Sequence, residues 1–217
     1  MSELYDSIRL THLAATFTSA LGVDAPEGAE IPCDIVLDRL FAEFGEGGAD
    51  RVFIYNPDAV ALWLFQKYTE LFKDAILRTQ IQLPILSVMP SVTPVCFASM
   101  YSGVMPEVHG IMRYEKPVLK IKTVFDALAA AGKRCAIVST EGDSISKIFL
   151  ERDIDYYIYP SVEECNEKAL ELIASDEHDF ITLYNGDYDG TMHRNAPEGK
   201  TVYRGAKSQY SRIFADI

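Results

Sequence analysis

The sequence predicts an α/β protein: a three-layer α/β/α sandwich around a mostly parallel central sheet. Three observations carry this expectation. Short β-rich runs alternate with amphipathic stretches, as they do where helices cover both faces of parallel strands. The runs are separated by Gly, Pro, Asn and Asp clusters of the kind that break regular structure. A chain of 217 residues, 48% of them hydrophobic, can bury the core of one such domain.

Taken in order, residues 5–21 carry apolar side chains at helical spacing (Ile8, Leu10, Leu13, Phe17, Leu21), and Gly22 stops the pattern. A Pro/Gly/Glu loop covers 24–32, and a second amphipathic helix is expected over 34–44 before the break at Gly45-Glu-Gly-Gly48. The first 44 residues are too few to form a core alone. Residues 1–217 are therefore expected to be one domain, with 1–48 a helical N-terminal extension and 49–217 the core.

The run 51–55 has the character of a buried strand and stops at Asn56-Pro57-Asp58. Residues 59–79 are apolar at i, i+3 and i+4 (Ala61, Leu64, Phe65, Tyr68, Leu71, Phe72, Ala75, Ile76) and predict one long helix. A second strand is expected over 83–88. Thr93 then opens a short helix as its N-cap, with Pro94 in the first helical position, where a missing N–H costs nothing. The chain leaves this helix through Gly103, Pro106 and Gly110. A Lys-rich loop with Pro117 leads to a helix over 123–131, a strand over 134–139, a helical stretch over 143–151 and a short strand over 156–159. Ser161 and Glu164 form the signature of a capping box for a helix over 161–175, and 180–184 is the last expected strand.

The net charge of −12 argues against a nucleic-acid backbone or an anionic membrane surface as partner, since both call for basic patches. The N-terminus is polar without the apolar region of a secretory signal, and no run approaches the roughly 18 apolar residues of a membrane helix. A cytoplasmic location is the expectation. Four scattered cysteines (Cys33, Cys96, Cys135, Cys165) lack the paired spacing of a zinc ribbon or redox motif, and most of them read as buried thiols.

In parallel sheets, ligands bind at the carboxyl ends of the strands. Asp58, Thr93 and the expected loop over 187–193 each follow such an end, so three polar segments distant in sequence converge on one edge. That last segment presents Asp187, Asp189 and His193 within seven residues, and carboxylate oxygens with an imidazole suit Zn²⁺ or Mn²⁺. Each feature also has a plainer reading. Asp58 and Thr93 can be helix caps, and the Asp/Gly segment can be a surface turn with an exposed histidine. The joint placement favours chemistry. A threonine hydroxyl is a poor nucleophile unless a metal or base promotes loss of its proton. Two ions about 4 Å apart can activate it and stabilise a leaving oxygen in displacement at phosphorus.

Thr93, followed by Ser102-Gly-Val-Met-Pro-Glu-Val-His-Gly-Ile111, resembles the nucleophile region of the alkaline phosphatase superfamily. The likeness is greatest to its nucleotide pyrophosphatase/phosphodiesterase branch, where a Thr precedes a T-G-x-x-P-E-x-H-G-I ending. Asp58 after the first strand, and Asp189-x-x-x-His193 with Pro197, extend the resemblance over roughly residues 50 to 205. The resemblance implies an alkaline phosphatase-like fold and a hydrolase of small-molecule phosphate esters, with Thr93 as covalent nucleophile. It implies two divalent ions, zinc or else manganese, with Asp58 and Thr93 on one and Asp189 and His193 on the other. His109 is structural in that pattern. Cys96 occupies the substrate-binding position where the branch has an Asn that helps hold a phosphoryl oxygen.

The sequence departs from the pattern at Met192 and Ala196, which replace glycines, and in lacking a later Asp-His-Gly and a further His. His178 lies at the entry end of a strand and is a poor substitute. The expectation is a chain incomplete at its C-terminus, with 203–217 beginning a helix. Residues 11–26 resemble a helix that many members carry near their C-terminal end; His12 within it is not expected to be a ligand. The alternative is a degenerate member that binds metal or a phosphorylated ligand without turnover. Sulfatases of the superfamily use a modified Cys or Ser, and Thr93 sets them aside.

Overall fold

Among the described residues, four parallel strands form one sheet in the order β1 (Val52–Pro57), β4 (Phe180–Asn185), β2 (Cys135–Thr140), β3 (Asp155–Tyr159). The computed structural model describes residues 7–195. Every residue of β4 is buried, as an inner strand covered on both faces requires. Because side chains alternate across a strand, Phe180 and Tyr184 enter one core layer while Ile181 and Leu183 enter the other.

The first layer holds α1 (His12–Ala20), α5 (Thr93–Ser102), α7 (Val124–Ala130) and α8 (Ser144–Ile148), and its centre is aromatic. Tyr101 stacks on Phe125 with ring centroids 5.1 Å apart, and Phe149 meets it edge-on at 5.3 Å. Phe17 of α1 reaches Tyr101 and Phe180 at 6.0 and 5.8 Å, so the N-terminal helix packs into this core. On the opposite face, α9 (Val162–Ser175) lays Cys165, Ala169 and Leu172 against Ala136, Val138, Ile181 and Leu183. Helices on both faces of an all-parallel sheet make the expected three layers. Ser161 caps α9, its hydroxyl accepting from the Glu164 N–H at 3.3 Å.

Three elements differ from expectation. Residues 83–88 do not form a sheet strand; only Leu86 pairs, in a single bridge to Arg9, with Leu86 N donating to Ile8 O at 2.8 Å and Leu10 N to Leu86 O at 3.0 Å. Pro84 inside this run supplies no N–H to continue the ladder in one direction, and in the other the partner segment turns away into α1, with His12 N donating to Arg9 O at 3.1 Å. The same pairing engages Arg9, the chain turns at Leu10 and Thr11, and α1 starts at His12 rather than at residue 5. Residues 5 and 6 lie outside the described residues.

The helix expected over 59–79 is three short pieces: α3 (Leu62–Lys67), a 3-10 turn (Thr69–Phe72) and α4 (Lys73–Arg78). Tyr68 leaves helical geometry between the first two, and Leu64, Leu71 and Phe72 close around Tyr188 as a small separate core. Tertiary packing on that tyrosine overrides the helical period. The segment 187–193, read as a loop, is helix α10 (Asp187–Arg194). The remaining helices are α2 (Asp34–Phe44) and the single turn α6 (Pro106–His109). Among the described residues no helix is long and apolar enough to cross a membrane.

Candidate functional site

Pro57 at the end of β1 lies opposite Asn185 at the end of β4, and the Asp58 N–H donates to Asn185 O at 3.0 Å. This register puts the loop after β1 beside the start of α10, and α5 approaches from the adjoining layer. Their side chains line one cavity of about 930 Å³ that holds Asp58, Thr93, Cys96, Asp189 and His193 together with Tyr55, Tyr114 and Tyr184. Of the six candidates that the sequence singles out, these five line the cavity; Asp187 does not.

Neither cap reading describes the local structure. α3 begins at Leu62 behind Ala61, so Asp58 stands too early to cap it; its Oδ1 accepts the next N–H, from Ala59 at 2.8 Å. Ala59 adopts φ +61°, a left-handed conformation that costs a non-glycine residue on the order of 1–2 kcal/mol. α5 starts one residue earlier than expected. Val92 is its extended N-cap, Thr93 is the first helical residue and Pro94 the second. The Thr93 hydroxyl makes no capping bond and donates to Asp58 Oδ2 at 3.1 Å.

Tyr184 completes this group, and sequence reasoning missed it. Its hydroxyl donates to the same Asp58 oxygen at 2.6 Å. Burial first, and then the Asp58 charge, raise the phenol far above its ordinary range, so it stays protonated and acts as donor. The available signal was position: Tyr184 is on the Phe180–Thr182–Tyr184 face of a strand, just before the Asn-Gly-Asp that starts the carboxylate segment.

Asp189 and His193 are one turn apart on α10, with Nε2 3.4 Å from Oδ2. Asp187 belongs elsewhere: two residues along a helix rotate it off that face, and it does not line the cavity. Burial, then the Asp58 charge, raise the Asp189 carboxyl, while His193 draws it down. Two carboxylates therefore share one cavity and feel each other, an arrangement that a cation relieves.

Cys96 lies one turn beyond Thr93 and its Sγ is 3.4 Å from Ser87 Oγ. Burial pushes its thiol up, so it presents a neutral group to the cavity. His178 is at the other end of the sheet, fully buried, with Nε2 2.8 Å from Asp155 Oδ2. His12 pairs with Glu30 at 3.0 Å. Pro197, Ala196 and the helix expected over 203–217 lie outside the described residues.

No protein-family model matches the sequence, and no curated protein does. Among solved structures, the fold is similar to that of phosphonoacetate hydrolase from Sinorhizobium meliloti 1021, determined in complex with phosphonoacetate. The identity is 19% and the TM-score 0.53, and the match covers 76% of this chain and 52% of that one. The chain thus spans about half the length of that structure. The fold is alkaline phosphatase-like: an all-parallel sheet flanked by helices.

The donors in the cavity suit a divalent cation in type, two carboxylates and an imidazole with a hydroxyl among them. They form two pairs, Asp58 with Thr93 and Asp189 with His193. Among the described residues no three His, Cys, Asp or Glu side chains cluster closely enough to hold an ion by themselves.

Proposed function

We propose that this protein is a metal-dependent hydrolase of phosphate esters in which Thr93 is the nucleophile. One observation carries the reading: the Thr93 hydroxyl at the start of α5 is free of any capping role and is directed at Asp58 Oδ2, 3.1 Å away, across the cavity wall. Asp58 and Thr93 would hold one divalent ion, and Asp189 and His193 a second. Such ions lower the cost of ionising a hydroxyl and stabilise charge on the leaving oxygen.

The chain's own residues perform the rest. Thr93 is aligned by the first turn of α5, where a helix N-terminus favours the charge of an incoming phosphoryl oxygen. Its proton has an acceptor in Asp58. As the Thr93 Oγ–phosphorus bond forms, the phosphorus–oxygen bond to the alcohol breaks and the alcohol leaves; water then cleaves the phosphothreonine ester and restores the hydroxyl. The Cys96 thiol faces the position of the phosphoryl group as a weak donor.

Within the superfamily, the run Ser102–Ile111 favours the nucleotide pyrophosphatase/phosphodiesterase branch. Its glycines are helix stops: Gly103 ends α5 and Gly110 ends α6, both at positive φ. A second reading, a domain that binds metal or a phosphorylated ligand without turnover, draws on the two-donor character of each pair.

Assays of the full chain with aryl phosphate monoesters and diesters, with Zn²⁺ or Mn²⁺ added, separate the two. Turnover that needs the ion and falls roughly 10³-fold or more in Thr93→Ala is expected. Metal binding with equal, background turnover in both proteins favours the second reading.

A further inference from the structure

Asp58 sits on a loop, so something outside the loop must fix its carboxylate if it is to serve Thr93. The bond from Ala59 N–H to Oδ1 moves with the loop itself. Oδ2 receives its bonds from other elements: Thr93 on α5 at 3.1 Å and Tyr184 on β4 at 2.6 Å. The Thr93 bond is the longer, and it is the one surrendered when Thr93 attacks. The Tyr184 bond is the one that remains.

Tyr184 is well placed for this. It lies on an inner strand, in register with Asn56 of β1, and is 5% exposed. Its ring meets Phe97 edge-on, with centroids 5.1 Å apart at 82°. Phe97 is one turn beyond Thr93 on α5. The same side chain therefore meets the nucleophile's helix through its ring and the carboxylate through its hydroxyl. Gly186 leaves room for the arrangement: a Cβ there would lie 3.1 Å from the Tyr184 hydroxyl oxygen and 3.4 Å from Cζ.

We propose that Tyr184 is a positioning residue: its hydroxyl sets the distance and direction of Asp58 relative to Thr93, and Gly186 is the gap that admits it. The kinetic part of this inference rests on the hydrolase reading above; the geometric part does not. Contacts that orient a reacting group through a neighbour are worth about 10–100-fold, because a displacement near 1 Å is enough to lose that much rate.

Tyr184→Phe keeps the ring and its contact with Phe97 and removes only the hydroxyl. Crystal structures of the wild type and the variant should show Asp58 Oδ2 moving beyond hydrogen-bond range of Thr93. With bis(p-nitrophenyl) phosphate and saturating Zn²⁺, kcat should fall about 10–100-fold while KM stays within about threefold. Gly186→Ala, which crowds a phenol that is still present, should lower kcat in the same way, and it stands in should Tyr184→Phe fail to fold. An unmoved Asp58, or an unchanged kcat with only a lower melting temperature, overturns the inference. If neither wild type nor variant turns over and Asp58 still swings away, the positioning role stands and the hydrolase reading falls.

Discussion

Ser99 Oγ and His109 Nε2 lie 2.9 Å apart in the buried interior, joining the helix that carries Thr93 to the turn that follows it. The other ring nitrogen of His109, Nδ1, accepts the Ile111 N–H at 3.2 Å, so Nε2 carries the proton and donates to Ser99. The histidine of the His-Gly-Ile run is thereby committed to structure, away from the cavity. Burial pushes its pKa down to about 4.

That shift fixes the sign of a pH dependence. Between about 6.5 and about 4 the unfolded chain holds a proton on His109 that the folded chain refuses, so stability from this residue is complete above 6.5 and lost as pH falls toward 4. Urea midpoints of wild type and His109→Gln, measured across that window, should converge as pH falls. Parallel curves would contradict the assignment.

The glycines of the same run separate two kinds of cost. At Gly103, φ is +77° and a Cβ would fall 2.5 Å from Ala29 Cβ and 3.1 Å from Ala14 Cβ. At Gly110, φ is +83° with nothing within 4 Å. Gly110→Ala should cost on the order of 1–2 kcal/mol for conformation alone, and Gly103→Ala roughly 1–3 kcal/mol more for overpacking. Equal midpoints for the two variants in chemical denaturation would refute this.

Arg51 secures the end of α9. Its guanidinium donates to Leu172 O, Ile173 O and His178 O, each at 2.9 Å. These are carbonyls at and beyond the C-terminal turn of the helix, where a cation is favoured. Arg51→Met should lower stability by about 1–3 kcal/mol in urea titrations. The pair with Asp176, a side chain 74% exposed, adds little, and Asp176→Asn should change the midpoint only slightly.

Much of this fold is legible in the sequence because it depends on local pattern. β1, β2 and β4 follow from short apolar runs closed by turns, and α9 from its capping box and apolar period. Residues 83–88 show the limit of that logic: an apolar run reads as a strand, yet Pro84 within it and the turn of its partner segment into α1 leave a single bridge at Leu86. Likewise 59–79 has a helical period, but Tyr188, more than 100 residues later, decides where the chain bends. The candidate site divides in the same way. Asp58, Thr93, Asp189 and His193 stand out by type and spacing. The link from Tyr184 to Asp58 spans 126 residues and exists only once β4 lies beside β1.

Metal binding gives a prediction independent of turnover. Zn²⁺ at about 100 times its dissociation constant should stabilise the wild type by about 2.7 kcal/mol per site. Asp58→Asn and His193→Ala should each lose part of that gain, since they remove donors from different pairs. Thermal midpoints that ignore added Zn²⁺ or Mn²⁺ would show that the paired donors hold no ion.

If Thr93 is the nucleophile, it forms a covalent bond to phosphorus during turnover, and that bond can be trapped. The full chain, supplied with Zn²⁺ and an aryl phosphate ester, is quenched in acid during turnover and its peptides are weighed by mass spectrometry. One phosphoryl or phosphoester group is expected on Thr93, absent without metal and absent in Thr93→Ala. Turnover that proceeds with Thr93 never modified, or with the group on another residue, would contradict it.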